Sequence, residues 1–402
     1  MKLKIAFLTT VDEDRNPQIG DCIVITFKNE FPEGKRLACI IIDGGYSSNS
    51  QVISDYLASE KVIIIDLLIA THIDGDHIAG LCSFVKDFLS KDDRKFKLMN
   101  YWGPAPGTYT QPITITEFIS YLPDVSDIKI DELSMISQSV EQNEKLYKLI
   151  EKILSPEHII HPYVNILNSI PNIFNDLVVE VLAPDKQIPD VDIKAMNLSD
   201  ASLGDSIVTD MAIDLNDISI QKIIESAASI EDRTANNQSI VIKLTPLNES
   251  GDRNEDCSIL FPGDAEIESW NSMIDKWGEK LKSRVLKLSH HGSKTGTNET
   301  ILVTVQPDYC VICAGKNKHG LPDDVVLKLL STNGVDFFCT GRNTKEDSKK
   351  SPCIDANIIK DCPRWDANQE EHIKDTIIFN IDSDTNDIEI TGEQCGVVWD
   401  NV

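Results

Sequence analysis

The sequence is short of basic residues. Its 402 residues include 38 Lys and Arg against 65 Asp and Glu, which gives a formal net charge of −27. Proteins that hold long nucleic acids usually carry a basic surface, because neutralising phosphates drives that binding. The overall charge therefore argues against extended nucleic-acid binding, but it leaves room for a local basic groove or for a small anionic substrate.

Long hydrophobic runs are also missing. No apolar run reaches the roughly 20 residues that span a bilayer, and the longest, from Val62 to Ala70, is interrupted by Asp66. The first residues become polar too soon for a signal peptide. The ten cysteines are scattered singly, without the density of a secreted disulfide scaffold. We therefore expect a cytoplasmic chain with reduced thiols and no membrane contact.

The sequence does contain enough apolar residues for a large core, in alternating strand and helix patterns. Hydrophobic residues make up 41% of the chain, so we predict one α/β domain over residues 1–402. Residues from about 95 to 235 are predicted to contain a helical, acidic insertion, and 342–371 a polar excursion before the last strands. The insertion is compatible with a lid, a protein-partner surface or a homo-oligomer contact.

The segment Thr71-His72-Ile73-Asp74-Gly75-Asp76-His77 follows an apolar strand and is rich in potential metal ligands. Burying two imidazoles and two carboxylates without partners is costly. A divalent metal ion removes that cost, because both groups ligate Zn²⁺ and Mn²⁺. The alternative is an exposed, hydrogen-bonded polar turn. The candidate ligands are His72, Asp74, Asp76 and His77.

Two further segments place ligand-type side chains at predicted strand ends. Gly263-Asp264 presents a carboxylate that is suited to bridging two cations, and His290-His291 precede Gly292. Each segment alone is also compatible with an ordinary turn. Three such strand ends in one chain favour a shared metal site.

The order of these motifs resembles the metallo-β-lactamase superfamily, and more narrowly the hydrolase domain of ComEC-type competence proteins and their soluble relatives. This resemblance implies an α/β (α+β) fold, the αββα sandwich, in which helices cover two mixed sheets and metal ions lie at one edge. The matching pieces are Gly20-Asp21, Asp43-Gly44-Gly45, His72 to His77, Asn237-Gln238-Ser239, Gly263-Asp264 and His290 to Ser293.

The same resemblance implies a ligand set for one or two divalent ions. A histidine that the family places before the strand preceding the bridging Asp is missing, and Asn236-Asn237 stands there. The site is therefore rich in oxygen and short of imidazole, which favours Mn²⁺ or a weakly held second ion over a tight pair of Zn²⁺ ions. The implied ligands are His72 and Asp74 for one ion, Asp76 and His77 for the other, Asp264 as the bridge, and His291 or His290 in addition.

The activity implied by the resemblance is that of a metal-dependent phosphodiesterase or nuclease, in which the metal activates a hydroxide. Asp76 would accept a hydrogen bond from that hydroxide, and Lys294 or His319 would stabilise the developing charge. A basic patch beside the histidines is one more candidate feature, although a solvated helix face is the alternative. Its members would be Lys280, Lys282, Arg284, Lys287 and Lys294.

Two other functions stay open at this point. The superfamily serves many chemistries on one fold, so the substrate could be another ester, an amide or a thioester. The chain could also be a non-catalytic module that binds a partner and keeps a degenerate metal site.

Overall fold

The computed structural model describes residues 1–91, 94–105, 141–162, 173–185, 236–315, 317, 319–341 and 376–392. Much of the insertion predicted within 95–235 lies outside these ranges, and the polar excursion predicted at 342–371 lies entirely outside them. Both features therefore stay predictions, and so does the single-domain boundary.

An eight-stranded mixed sheet is built from both ends of the chain. The four strands at one edge run parallel to one another, and every other pair of neighbours is antiparallel. From one edge to the other they are β10 (Ile159–Ile160), β9 (Tyr101–Trp102), β7 (Leu67–Ile69), β5 (Gly34–Gly44), β4 (Cys22–Phe31), β1 (Lys2–Phe7), β17 (Ile377–Asp382) and β18 (Asp387–Thr391). Two short pairs lie outside this sheet: β2 (Thr10–Val11) with β3 (Pro17–Gln18), and β6 (Ile64–Ile65) with β8 (Lys97–Leu98).

A six-stranded sheet is built from the second half of the described chain. Counted from one edge, the first three strands pair antiparallel, and the third to the sixth pair parallel. In spatial order the strands are β11 (Leu177–Ala183), β12 (Val241–Pro246), β13 (Ile259–Phe261), β14 (Val285–Lys287), β15 (Tyr309–Ile312) and β16 (Asp336–Cys339).

Three hydrophobic layers hold the sheets and helices together. One lies between the two sheets, one between the eight-stranded sheet and its helices, and one between the six-stranded sheet and its helices. The four-layer αββα sandwich is therefore confirmed. Its helices are α1 (Asn49–Ser59), α2 (Gly75–Phe84), α3 (Ile267–Trp277), α4 (Glu299–Val305) and α5 (Asp324–Thr332), and residues 141–150 are also helical.

Strand β4 shows why the eight-stranded sheet is covered on both faces. Ile23, Ile25 and Phe27 face the other sheet, while Val24 faces the helices. A strand that is apolar on both faces must be covered on both, and successive side chains point to opposite faces. Within the described chain, none of the helices combines the length and hydrophobicity of a membrane span, and none of the described cysteines forms a disulfide.

The strand predicted from Val62 to Ala70 is divided at Asp66. The Asp66 side chain is 2% exposed, and Arg36 donates two hydrogen bonds to it, at 3.0 and 2.6 Å. The backbone N–H of Cys39 donates a third, at 3.0 Å. A buried carboxylate requires such partners. The strand is therefore divided at this residue, and only its second part, β7, joins the main sheet.

A glycine contact fixes α2 against β5. Gly80 donates a hydrogen bond from its backbone N–H to Gly45 O at 2.7 Å, and a Cβ on Gly80 would lie 1.8 Å from Gly44 O. We expect Gly80→Ala to lower the free energy of unfolding by ~3 kcal/mol, the upper end of the usual range for overpacking. The atoms that the new Cβ would meet, in Gly44 and Tyr46, all belong to the backbone and cannot easily move away.

Urea unfolding of the purified variant checks this expectation, with Gly251→Ala as the control. A Cβ on Gly251 meets nothing within 4 Å, although its backbone φ is +81°. That control therefore reports only the ~1 kcal/mol cost of a left-handed residue. Equal losses in the two variants would show that α2 is not held by this contact.

Candidate metal centre

The carboxyl ends of parallel strands from both sheets meet at one edge of the sandwich. Thr71 and His72 follow β7, Asp264 follows β13, and His291 follows β14. Ile240 N donates a hydrogen bond to Thr71 O at 2.8 Å, which ties the two sheets together there. Ligands of α/β sheets sit outside strand carboxyl ends, so this edge is the expected place for a site.

Four buried side chains converge at this edge. One possible ligand atom from each of Asp21, His77, Asp264 and His291 lies within 4.8 Å of the others. All four residues are at most 3% exposed. This buried Asp/His group, hereafter the buried cluster, could bind a metal ion; three of its members, His77, Asp264 and His291, were predicted as ligands, and Asp21 was not.

The two imidazoles of the buried cluster are held by hydrogen bonds on their Nδ1 atoms. His77 Nδ1 lies 2.9 Å from Asp43 Oδ2, and His291 Nδ1 lies 2.9 Å from the carbonyl oxygen of Cys313. Both partners are acceptors, so both Nδ1 atoms carry the proton and donate. In the neutral rings the Nε2 atoms keep their lone pairs, which is the tautomer that a metal ligand requires.

The Nε2 atoms face one another in a way that fits a cation. His77 Nε2 and His291 Nε2 are 3.4 Å apart, and two lone pairs at this distance repel unless a positive charge lies beside them. His72 Nε2 is also buried, and it has no hydrogen-bond partner. Its ring centroid lies 4.0 Å from that of His77. Three imidazole donors therefore suit a divalent cation.

Carboxylates surround these nitrogen atoms. Asp264 Oδ2 lies 3.4 Å from His77 Nε2 and 3.1 Å from His291 Nε2, and Asp76 Oδ2 lies 3.2 Å from His291 Nε2. Burial lowers the pKa of His291, but Asp264 and Asp76 outweigh it and raise that pKa to about 9. Burial acts to raise the pKa of Asp76, but His77 and His291 hold it below its ordinary value. The local field thus favours positive charge.

The other predicted ligands lie at the start of α2. Asp74 precedes the helix in an extended conformation and accepts hydrogen bonds at its backbone oxygen from the N–H groups of His77 and Ile78. Its Oδ2 lies 3.6 Å from His72 Nε2, and its side chain is 32% exposed. The turn thus places His72 with Asp74 beside the buried cluster. Which of these groups bind an ion stays a prediction.

Comparison with known proteins gives short but clear matches. No family model matches the chain. It is 32% identical over 84 residues to competence protein ComA of Neisseria gonorrhoeae, and 34% identical over 87 residues to ComE operon protein 3 of Bacillus subtilis. It is 38% identical over 74 residues to recombination protein 2 of Haemophilus influenzae. A short part of the chain is thus similar to each of these three proteins.

These matches cover only part of each protein. They span 21%, 21% and 18% of this chain, and 12%, 11% and 9% of the three relatives in the same order. Among solved structures, a long form of RNase Z from yeast is similar with a TM-score of 0.37 and 11% identity, over 80% of this chain and 38% of that one. The resemblance to the competence proteins is confirmed, and their activities enter below only as proposals.

The sequence did not identify Asp43 as a partner of the site. Its side chain is fully buried and accepts hydrogen bonds from Thr71 N at 2.7 Å, Thr71 Oγ1 at 2.6 Å and His77 Nδ1 at 2.9 Å. Its backbone is left-handed, with φ +55°. The available sign was an Asp-Gly-Gly turn directly after an apolar strand.

Asp21 and Lys287 were also missed as members of the site. Asp21 lies near Nδ1 of His77 and of His291, at 3.8 and 3.5 Å, and it forms an ion pair with Lys287. Asp21 therefore lies on the Nδ1 side of the two imidazoles, whereas Asp264 lies on their Nε2 side. The sequence showed Gly20-Asp21 only as a turn that matches the family.

The adjacent histidines point in different directions. His290, His291 and Gly292 all have left-handed backbone, with φ of +48°, +52° and +81°. Such backbone is uncommon outside glycine and gathers at functional sites. It turns His291 into the buried cluster, while His290 Nδ1 lies 3.5 Å from Glu266 Oε1 and 3.3 Å from Thr295 Oγ1.

The two remaining catalytic candidates are exposed residues on loops at the same edge. Lys294 follows β14, and its backbone N–H donates to Asp323 Oδ2 at 2.8 Å. His319 follows β15, and its backbone N–H donates to Asn317 Oδ1 at 3.1 Å. Asn317 is buried and also donates to Gly315 O and Leu321 O, so it holds the loop that carries His319.

The basic patch expected around the histidines is not a single surface. Lys287 is fully buried in the site. Arg284 donates to Asp308 Oδ2 at 2.9 Å and to Asn386 O at 2.6 Å, and Lys282 forms an ion pair with Glu279. Three of the five predicted members are thus buried or paired, so the described structure gives the patch little support as a continuous nucleic-acid contact.

Proposed function

We propose that the protein is a metal-dependent hydrolase whose substrates are phosphodiesters, with nucleic acid as the class that the family resemblance suggests. The proposal rests on one observation, the convergence of the imidazoles of His72, His77 and His291 with the carboxylates of Asp76 and Asp264. A divalent cation bound there supplies a Lewis acid, which activates water and neutralises charge on the attacked group.

The residues around the site divide the remaining work. The side chain of Asp76 is 21% exposed, more than the side chain of Asp264 at 4%. It is therefore the carboxylate better placed to accept a hydrogen bond from an attacking water. Asp43 and the carbonyl of Cys313 keep the proton of His77 and His291 on Nδ1, which leaves each Nε2 lone pair available to a metal ion. In this proposal the exposed side chain of Lys294 or of His319 meets the negative charge that develops on the substrate.

The negative charge of the site implies that a phosphodiester substrate requires bound metal. Asp74 and Asp76 line the exposed side of the site, and carboxylates repel a phosphodiester. A phosphodiester therefore binds only when cations neutralise these groups. A neutral ester, amide or thioester escapes this repulsion, and the net charge of −27 favours such a substrate. These classes remain the second candidate.

The test is hydrolysis of bis-p-nitrophenyl phosphate and of p-nitrophenyl acetate with Mn²⁺, Zn²⁺, Mg²⁺ or EDTA. Two adjacent histidines provide a matched pair of variants. We expect His291→Ala to lower metal-dependent turnover by ~100-fold or more, because it removes an imidazole from the cluster, and His290→Ala to lower it by less than ~10-fold.

Each outcome of this test has a clear meaning. Turnover of the phosphodiester that needs metal and His291 supports the proposal, and single-stranded DNA and RNA are then the next substrates. Turnover of the carboxylic ester alone points to the second candidate. No turnover of either compound by a metal-loaded protein points to another bond class, such as an amide or a thioester, and a protein that binds no metal favours the partner-binding module.

A further inference from the structure

A buried lysine lies beneath the candidate metal centre. Lys287 ends β14, and its side chain is 0% exposed. Its Nζ donates a hydrogen bond to Gly263 O at 2.9 Å and another to Asp264 Oδ1 at 3.1 Å. It also forms a close ion pair with Asp21 Oδ2. An ammonium group has three N–H donors, so these three acceptors satisfy it completely.

The two oxygens of the Asp264 carboxylate have different partners. Oδ1 receives the hydrogen bond from Lys287, while Oδ2 lies 3.1 Å from His291 Nε2 and 3.4 Å from His77 Nε2. The terminal torsion of an aspartate is broad and roughly twofold. Without a partner on Oδ1, the carboxylate would therefore be free to rotate away from the imidazoles.

We propose that Lys287 is a positioning residue that holds Asp264 Oδ1, so that Oδ2 alone is presented to a metal ion between His77 and His291. This inference deepens the proposed function and rests on it. Lys287 itself touches neither substrate nor metal ion. Gly263 O and Asp21 fix the ammonium group from two further directions, so its position is set before any ion binds.

A second buried lysine in the same sheet supplies a matched control. Lys243 lies in β12, with a side chain that is 3% exposed. Its Nζ also has three acceptors: Glu255 Oε2 at 2.7 Å, Lys280 O at 2.8 Å and Lys282 O at 2.7 Å. None of these belongs to the candidate metal centre. Replacing Lys243 thus removes a buried, fully paired lysine without touching Asp264.

The experiment measures the Kd for Mn²⁺ and Zn²⁺ by competition with a chelator, using the full chain and no substrate. We expect Lys287→Met to weaken binding at least ~10-fold, within the range known for groups that hold metal ligands. Lys287→Gln keeps a hydrogen-bond donor and is expected to weaken binding less than Lys287→Met. Lys243→Met is expected to stay within ~2-fold of the original protein, because it lies outside this group of contacts.

A double variant separates positioning from general damage to the fold. If Lys287 acts through Asp264, Lys287→Met in an Asp264→Asn background should change the Kd less than ~2-fold, because the two effects are not additive. Should Lys287→Met fail to fold, Lys287→Gln carries both comparisons, with an expected loss of ~5-fold in the single variant.

Three results with these variants would overturn the inference. Unchanged or tighter metal binding in Lys287→Met would reduce Lys287 to a structural charge, and equal losses in Lys243→Met would assign the effect to stability. A full further loss in the Asp264→Asn background would show that Lys287 acts by another route. Because no substrate is used, a protein that binds metal without hydrolysing anything leaves the inference standing while the proposed function fails. A protein that binds no metal overturns both.

Discussion

Asp264→Asn is expected to reduce kcat/KM of metal-dependent hydrolysis by ~1000-fold, which corresponds to ~4 kcal/mol of transition-state stabilisation. The substitution keeps the shape of the side chain but removes its negative charge. It also risks placing an amide N–H group beside the Nε2 atoms of His77 and His291, which now lie 3.4 and 3.1 Å from Asp264 Oδ2. Steady-state kinetics on bis-p-nitrophenyl phosphate measures the loss.

Asp275→Asn is the control for this prediction. Asp275 lies on the exposed side of α3, so the same chemical change there should leave kcat/KM within ~2-fold. An Asp264→Asn variant that keeps more than a tenth of the original activity would contradict a role for Asp264 in binding metal. Urea unfolding of both variants shows that any loss of activity is not a loss of folded protein.

Asp43→Ala is expected to lower both the stability of the protein and its affinity for metal. The change leaves three buried donors without their acceptor: Thr71 N, Thr71 Oγ1 and His77 Nδ1. We expect the free energy of unfolding to fall by ~3 kcal/mol, since each unsatisfied buried donor costs ~1–3 kcal/mol and relief of repulsion among the carboxylates offsets part of the sum. The Kd for metal should rise ~10–100-fold, because His77 loses the group that orients it.

Asp66→Ala provides the comparison that separates these two effects. Asp66 is equally buried and accepts hydrogen bonds from Arg36 and from Cys39 N, but it lies outside the candidate metal centre. The Asp66→Ala substitution should therefore destabilise the protein by an amount similar to Asp43→Ala and leave the Kd for metal unchanged. Chemical unfolding with EDTA and chelator competition measure the two quantities separately. Equal losses of metal affinity would remove Asp43 from the account of the site.

Much of the fold could be predicted from the sequence because the strands are strongly patterned. The apolar segments Cys22–Phe27, Leu37–Ile42 and Tyr309–Cys313 predict strands where β4, β5 and β15 lie, and the helical spacing of apolar residues in Ser50–Ala58 predicts α1. Asp66 was harder, because its effect depends on Arg36, which lies 30 residues away along the chain. A sequence window shows the carboxylate but not the partner that allows it to be buried.

The candidate site was predictable where ligand-type residues follow a strand, as His72, His77, Asp264 and His291 do. The groups that support them could not be predicted. Lys287 resembles any basic residue at the end of a strand until the structure places it between Asp21 and Asp264. The family resemblance placed His291 ahead of His290 as a ligand, but the physical reason for their different directions, the left-handed backbone at both residues, was not visible in the sequence.

The most direct test of the central claim is the metal content of the protein after dialysis against Mn²⁺ or Zn²⁺ and removal of free ions. The buried cluster, with the Nε2 atoms of His77 and His291 3.4 Å apart beside Asp264, predicts one or two bound ions per chain. His291→Ala should lose at least one of these ions, and His290→Ala should lose none. If the original protein binds no metal, or if His291→Ala binds as much as the original protein, the account of this site is wrong.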